Sequence, residues 1–407
     1  MWLNDTSAIQ RRALVAGCFG YGLDGFDFMA YTFVIPTLTI EWNMTRAQAG
    51  YIATGALMTS AIGGWLAGIL ADRYGRVRVL QATVLWFAVF TFLSGFTQSP
   101  AQLSWVRALQ GFGFGGEWSV GAVLVAESIA ARHRGRAVGL VQSSWAVGWA
   151  AAALAYWAIF ASVRPALAWR ILFWLGVLPG LLVVYVRRHV VEPPVFSGLL
   201  TRHRHSNEYL GIFRRRLLPT TLLASVLCCG MLSAYYSVTT WLPTYLRSER
   251  HLSVADTSTY LLMLIGGSFC GYLASASLSD AWGRRRCFMA FAVGGMLMIL
   301  AYTRWATTDV ETLWLGFPLG FFLSGIFSGT GAFLAELFPT ALRGSGQGFC
   351  YNIGRAVGAA SPALIGHLST RNSLSLAIGA TTAAAYAVVI CAAWALPETR
   401  GRALDPS

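Results

Sequence analysis

The 407-residue chain contains no lysine, and all 30 of its Lys+Arg positions are arginine. Its positive charge is therefore permanent, because arginine keeps its proton in proteins. Charge of either sign is scarce: 12% of residues are charged and 56% are hydrophobic, whereas soluble domains carry about one-quarter charged residues. That composition excludes an ordinary water-soluble domain and points to a bilayer as solvent. Other absences narrow the possibilities. No Walker A sequence occurs, so ATP drive has no support. The glycine cluster GFGFGGEW imitates a nucleotide-binding loop, but it lacks a preceding strand and lies inside an apolar run, where small residues let helices pack closely. The seven cysteines (Cys18, Cys228, Cys229, Cys270, Cys287, Cys350 and Cys391) show no metal-ligand spacing and read as small hydrophobes in apolar spans. His203 and His205 have no third ligand and read as solvated. The opening MWLNDTSAIQRR is polar and no small-residue cleavage site follows it, so no removable signal peptide is expected.

What the chain has in quantity is apolar length. Spanning a bilayer takes about 20 apolar residues per helix, and twelve such stretches occur: 13–40, 47–71, 79–97, 101–128, 135–160 and 167–187, then 217–246, 253–279, 286–305, 310–336, 344–368 and 374–396. They predict an all-α membrane protein of twelve transmembrane helices and leave no room for a soluble catalytic domain, so no enzyme and no cofactor is expected. A net charge of +13 raises nucleic acid as a partner. The arginines, however, gather in alternate loops, as the positive-inside rule requires. Nucleic acid is set aside on that ground, and both termini are placed on the cytoplasmic side of a bacterial inner membrane. The basic, proline-containing segment RRHVVEPPVFSGLLTRHRHSNEYLGIFRRR reads as a cytoplasmic linker. It separates a bundle over residues 1–187 from one over 217–407, with 188–216 between them.

The second half repeats the first at an offset of about 208 residues. GILADRYGRVR carries Asp72, Gly75, Arg76 and Arg78, and ASLSDAWGRRR places Asp280, Gly283, Arg284 and Arg286 in register. AESIAARHRGRAVG matches AELFPTALRGSGQG, pairing Glu127 with Glu336 and Arg134 with Arg343. Short glycine turns let two helices approach, and ion pairs between helix ends are costly to break when partly desolvated. These residues are the expected gates between two access states. They resemble the loop motif G-x-L-x-D-x-x-G-R-x-R of the major facilitator superfamily, over essentially the whole chain, and imply its fold of two pseudo-symmetric six-helix bundles. Glu192-Pro193 and Pro397-Glu398-Thr399-Arg400-Gly401 resemble the motifs that end each half in its sugar-porter-like branch. The second copy has Ala276 where the first has Gly68, which predicts a looser helix contact there.

A charge at the bilayer centre costs roughly 2.5–3.5 kcal/mol, so such residues usually face a cavity and serve function. Asp24 and Asp27 lie one turn apart on one helix face, about 18 Å or more beyond Arg12 at 1.5 Å per residue. Two close carboxylates in a low-dielectric cavity repel, so at least one should hold a proton near working pH, as a proton carrier must. One of the two is expected to pair with a buried arginine. Arg107 and Glu117 lie on the fourth span, and Glu117 is too deep to snorkel. Arg355 lies twelve residues past Arg343, with Gln347 and Asn352 nearby. It cannot release a proton, so a carboxylate of the protein or of the substrate must neutralise it. Tyr235 and Tyr236 can donate to a carboxylate while their rings line a cavity. Tyr31 and Gln142 complete the candidate polar lining.

LDGFDF, GGEWSVGAVLVAES, TTWLPTYLRSERHLSV and FPTALRGSGQGFCYNIGR resemble the sialate/monocarboxylate:proton symporters and their relatives, the aromatic-acid:proton symporters. The resemblance implies an organic acid anion taken up with protons, with Asp24, Asp27, Glu117 and Arg355 as carried-over candidates. A small monocarboxylate fits a cavity of aromatic and amide residues with a single deep arginine. Protons are then the coupling ion, the chain is expected to be a monomer, and the anion site is expected to draw on both halves. A passive uniporter and a proton-driven exporter of organic acids or drugs are the alternatives.

Overall fold

A computed structural model of the chain describes residues 7–128, 134–178, 180, 208–339 and 342–400. His203, His205 and most of the linker lie outside the described residues, as do the side chains of Asp72, Arg76, Glu127, Arg134, Asp280 and Arg343. Among the described residues there are fourteen α-helices and no strand. The first six are α1 (Ala8–Glu41), α2 (Arg46–Tyr74), α3 (Arg76–Ser94), α4 (Pro100–Ser128), α5 (Arg134–Ser162) and α6 (Pro165–Trp174). Then come α7 (Leu218–Ser248), α8 (Val254–Trp282), α9 (Arg284–Leu300), α10 (Asp309–Gly325), α11 (Thr330–Leu337), α12 (Arg343–Gly358), α13 (Ala360–Leu368) and α14 (Leu374–Ala395).

Local chemistry explains where these helices start and stop. Ser7 with Gln10, Thr45 with Gln48 and Thr308 with Glu311 form reciprocal capping boxes that satisfy the first orphan N–H groups of α1, α2 and α10. Past α1 the chain turns through Asn43 at φ 50°, and past α7 through His251 at φ 55°, the left-handed conformation that closes helix C-termini. Within the spans, hydroxyls bond back to their own helix, as in Thr32 to the Met29 carbonyl at 2.8 Å and Ser60 to the Leu57 carbonyl at 2.7 Å. No polar group need then face lipid.

Two expected spans are broken. The stretch 310–336 forms α10 and α11 separated at Ile326–Gly329, where Gly325 and Gly329 weaken the helix. The stretch 344–368 forms α12 and α13 with Ala359 between them. Pro362 has no N–H to give and crowds the Gly358 carbonyl.

Eight stretches among the described residues, with α10 and α11 taken together as one, are long and apolar enough to cross a membrane. Absent from those eight are α1, α4 and α12, the helices that carry the buried charges. Large apolar side chains stay exposed around the molecule, among them Ile40 at 84% and Trp105 at 75%. Such a surface matches lipid rather than water.

The chain forms two compact units: Met1–Thr201 with Thr240–Leu262, and Arg202–Thr239 with Met263–Ser407. In the first, α2 and α3 pack on α4, and α1 packs on α4 and α5. In the second, α9 packs on α10 and α14, and α11 on α12. The α2–α4 contact is close because α4 is glycine-rich: a Cβ on Gly115 would overlap the Ser60 carbonyl. Gly68 plays no such part, since nothing lies within 4 Å of a Cβ built there. Among the described residues, the contact expected at that position is absent.

The repeat survives in backbone angles. Gly75, between α2 and α3, has φ 103° and ψ 148°; Gly283, between α8 and α9, has φ 99° and ψ 157°. This region is essentially open to glycine alone.

Candidate functional site

Five charged side chains among the described residues are buried: Asp24, Asp27, Arg107 and Glu117 in the first unit and Arg355 in the second. In the first unit they sort into two pairs. The Arg107 guanidinium donates through Nη1 to Asp27 Oδ2 at 3.1 Å. Gln110, one turn along α4, donates through Nε2 to the same oxygen at 2.7 Å. The guanidinium carbon stands 5.2 Å from the Tyr31 ring centroid and 5.8 Å from that of Phe173, within cation–π range. Arg107 is thereby held inside the protein, 3% exposed. Among the described residues no donor meets Asp27 Oδ1 with hydrogen-bond geometry, although the Thr91 hydroxyl stands beside the carboxyl.

Stepping back one turn from Asp27 on α1 leads to Asp24, which meets Glu117 of α4. Two carboxyls can hydrogen-bond only while at least one keeps a proton. Sequence spacing alone sets Asp24 against Asp27. The structure instead gives each aspartate its own partner on α4, because the helix face turns Asp27 toward Arg107 and Asp24 toward Glu117.

Asp27, Arg107 and Gln110 line a small cavity with Phe28, Tyr31, Thr32, Ala53, Ala56, Leu57, Phe114 and Thr240. It offers ≈ 10 Å³ to the centre of a water molecule, about enough for a single water. Anything larger enters only if the walls part. The Tyr31 hydroxyl is committed to the Ala49 carbonyl at 2.8 Å, which leaves its ring as the cavity surface. Gln142 is half-buried on α5 and outside this lining.

In the second unit, Arg355 on α12 is 4% exposed. Its guanidinium carbon lies 5.5 Å from the Tyr351 ring centroid, and it donates to the hydroxyls of Tyr351 and of Tyr236 on α7. A Cβ on Gly354 would come 2.5 Å from Cys228 Cβ, so glycine at 354 is what brings α12 against α7. Tyr235 faces Phe327 at 5.1 Å between ring centroids. Asn352 gives an amide hydrogen to the Gly348 carbonyl at 3.0 Å, and Gln347 is half-buried.

Of the gate residues, the structure brings Arg284 and Glu336 together. Arg284 Nε and Nη2 donate to Glu336 Oε2 and Oε1 at 3.2 and 3.0 Å, and Nη1 donates to Ser279 at 3.0 Å. The Thr399 hydroxyl donates to Glu336 Oε2 at 2.6 Å. Glu398 accepts the backbone N–H groups of Arg284 and Arg285 at 2.9 and 3.2 Å, capping α9 where Gly283 has no side chain to do so. Arg78 and Arg286 are exposed. Gln110, Thr91 and Tyr351 are site residues that sequence pattern did not single out, and Glu398, marked only as part of a half-ending motif, caps α9. For Gln110 and Tyr351 a signal existed: each lies one helical turn from a buried arginine.

The Major Facilitator Superfamily profile matches residues 17–276 and 264–407. The chain is 40% identical over 404 residues, 99% of its length and 94% of the relative's, to a protein of Cupriavidus pinatubonensis named "Probable 4-methylmuconolactone transporter". It is 30% identical over 363 residues to the cis,cis-muconate transport protein of Acinetobacter baylyi, covering 87% of this chain and 86% of that one. Among solved structures, the proton:xylose symporter XylE superposes with a TM-score of 0.77 at 19% identity, covering 98% of both chains. The fold is accordingly that of twelve transmembrane helices in two six-helix bundles. The chain belongs to the Major Facilitator Superfamily, as a multi-pass membrane transporter and not an enzyme.

Proposed function

We propose that this transporter is a proton-coupled symporter that takes up an organic acid anion, a small monocarboxylate in the first instance, by alternating access, with both termini in the cytoplasm. The observation that carries it is the buried Asp27–Arg107 pair at 3.1 Å, bordering a cavity. A buried ion pair holds only while both members are charged. A proton on Asp27 cancels the attraction, frees the walls to move, and gives the transport cycle a step that needs a proton. Asp24 and Glu117 form a second carboxyl pair on the same two helices and are the other candidate proton site. Arg355, among tyrosine hydroxyls, supplies permanent positive charge and planar donors suited to a carboxylate. The relatives named for muconolactone and muconate support an organic acid as cargo.

The test uses purified protein in proteoliposomes and an acid chosen by thermal stabilisation from a panel of small carboxylates. An imposed inward proton gradient drives accumulation, and an uncoupler abolishes it. Flux indifferent to both refutes symport and leaves a uniporter; accumulation driven only against the gradient's direction leaves an exporter. Asp27→Asn loses gradient-driven uptake and keeps exchange of labelled for unlabelled acid; equal loss of both assigns Asp27 to binding instead.

A further inference from the structure

Gln110 is 2% exposed, lines the cavity, and makes a shorter hydrogen bond to Asp27 than Arg107 does, 2.7 Å against 3.1 Å. Both donors meet the same oxygen, Oδ2. The other oxygen, Oδ1, looks toward Thr91 and Gly176; a Cβ on Gly176 would come 3.6 Å from it and would overlap Thr91 Cγ2. An acid proton placed on Oδ2 would point into two N–H donors, whereas one on Oδ1 leaves Oδ2 a carbonyl acceptor. Protonation also acts differently on the two donors. The bond from Arg107 owes much of its strength to the opposite charge of its acceptor and weakens when that charge goes. The bond from Gln110 is amide to oxygen, and an uncharged carbonyl still accepts it.

We propose that Gln110 is the positioning residue of the proton step: it holds the Asp27 carboxyl in place in both protonation states, so that the proton enters and leaves at Oδ1 beside Thr91. This role rests on the symport mechanism above. Among the described residues, the charged and titratable groups around Asp27 are Arg107 from α4 and, on its own helix, Tyr31 and Asp24; the elements α2, α3, α6 and α7 contribute hydroxyl and apolar side chains there. Gln110 is thus the neutral donor whose removal changes the carboxyl without altering local charge.

The experiment needs no substrate. Infrared difference spectra of the full-length protein in liposomes are recorded across pH, and the carboxyl C=O band of Asp27 is assigned by its loss in Asp27→Asn. In Gln110→Met the chain keeps its length and loses the donor. The band is expected at higher wavenumber, because its carbonyl loses a hydrogen bond, and its titration midpoint is expected about one pH unit higher, because a donor to the charged form is gone. Unchanged band position and midpoint overturn the proposal while leaving symport intact. If the wild-type band does not titrate at all, Asp27 is not the proton carrier and symport through it fails first. Should Gln110→Met not fold, Gln110→Asn carries the same test: its shorter amide no longer reaches Oδ2, and an unmoved band again overturns the role.

Discussion

In the first unit a buried arginine meets a carboxylate, Arg107 to Asp27 at 3.1 Å, whereas in the second a buried arginine meets tyrosine hydroxyls, Arg355 with Tyr236 and Tyr351. A carboxylate cancels the charge it touches; a hydroxyl only accepts a hydrogen bond. The first unit also has three buried carboxyls, Asp24, Asp27 and Glu117, to one guanidinium, while Arg355 is the buried charge described in the second. Buried carboxyls are therefore described in the first unit, where one guanidinium meets one of them, and the buried guanidinium described in the second meets hydroxyls instead.

Breaking the first pair has the largest expected effect. Arg107→Leu strands Asp27 in a buried site and should lower stability by about 3–5 kcal/mol, read as a fall in melting temperature in detergent. Restoring neutrality with Arg107→Leu plus Asp27→Asn should recover most of it. Arg355→Ala should melt close to wild type yet lose the stabilisation that carboxylates confer. Equal destabilisation by the two arginine variants would erase the contrast between the units. Next comes the pair of turn glycines. Alanine at either position adopts strained backbone angles at roughly 1–3 kcal/mol, and Gly283→Ala should be the worse, since its Cβ would lie 2.6 Å from Glu398 Oε2. Equal melting of Gly75→Ala and Gly283→Ala would show that Glu398 does not hold the second turn. A smaller effect is expected for Glu336→Gln. The Arg284–Glu336 pair is mostly buried, with side-chain exposures of 15% and 14%, but glutamine still accepts from Arg284, so roughly 1–2 kcal/mol is at stake. Transport rate should change more than affinity. Smallest is Tyr351→Phe, which keeps the ring beside Arg355 and removes one hydroxyl; a few-fold weaker carboxylate affinity is expected from about 1 kcal/mol.

Much of this was legible in the chain. Apolar length defines the spans, and the repeated Asp-x-x-Gly-Arg pattern predicts two equivalent turns, which the matched angles of Gly75 and Gly283 bear out. Depth along a helix was enough to mark Asp24, Asp27, Glu117 and Arg355 as buried. Partner choice was not. Asp24 and Asp27 differ by one turn in sequence, and only the way α1 lies on α4 sends one to Glu117 and the other to Arg107. Nor could the helix breaks near Gly325 and Ala359 be placed, because hydropathy runs through them unchanged. The tie between Glu398 and Arg284 spans 114 positions, and no local pattern encodes it.

That last tie bears on the order in which the molecule is made. The N–H groups that open α9 emerge from the ribosome long before Glu398 does. Until it arrives, the N–H groups of Arg284 and Arg285 lack the Glu398 carboxylate that accepts them in the finished fold. The residues past α14 thus act as a latch set after the helices themselves, and a chain halted after α14 should insert its helices with those two N–H groups lacking the Glu398 acceptor.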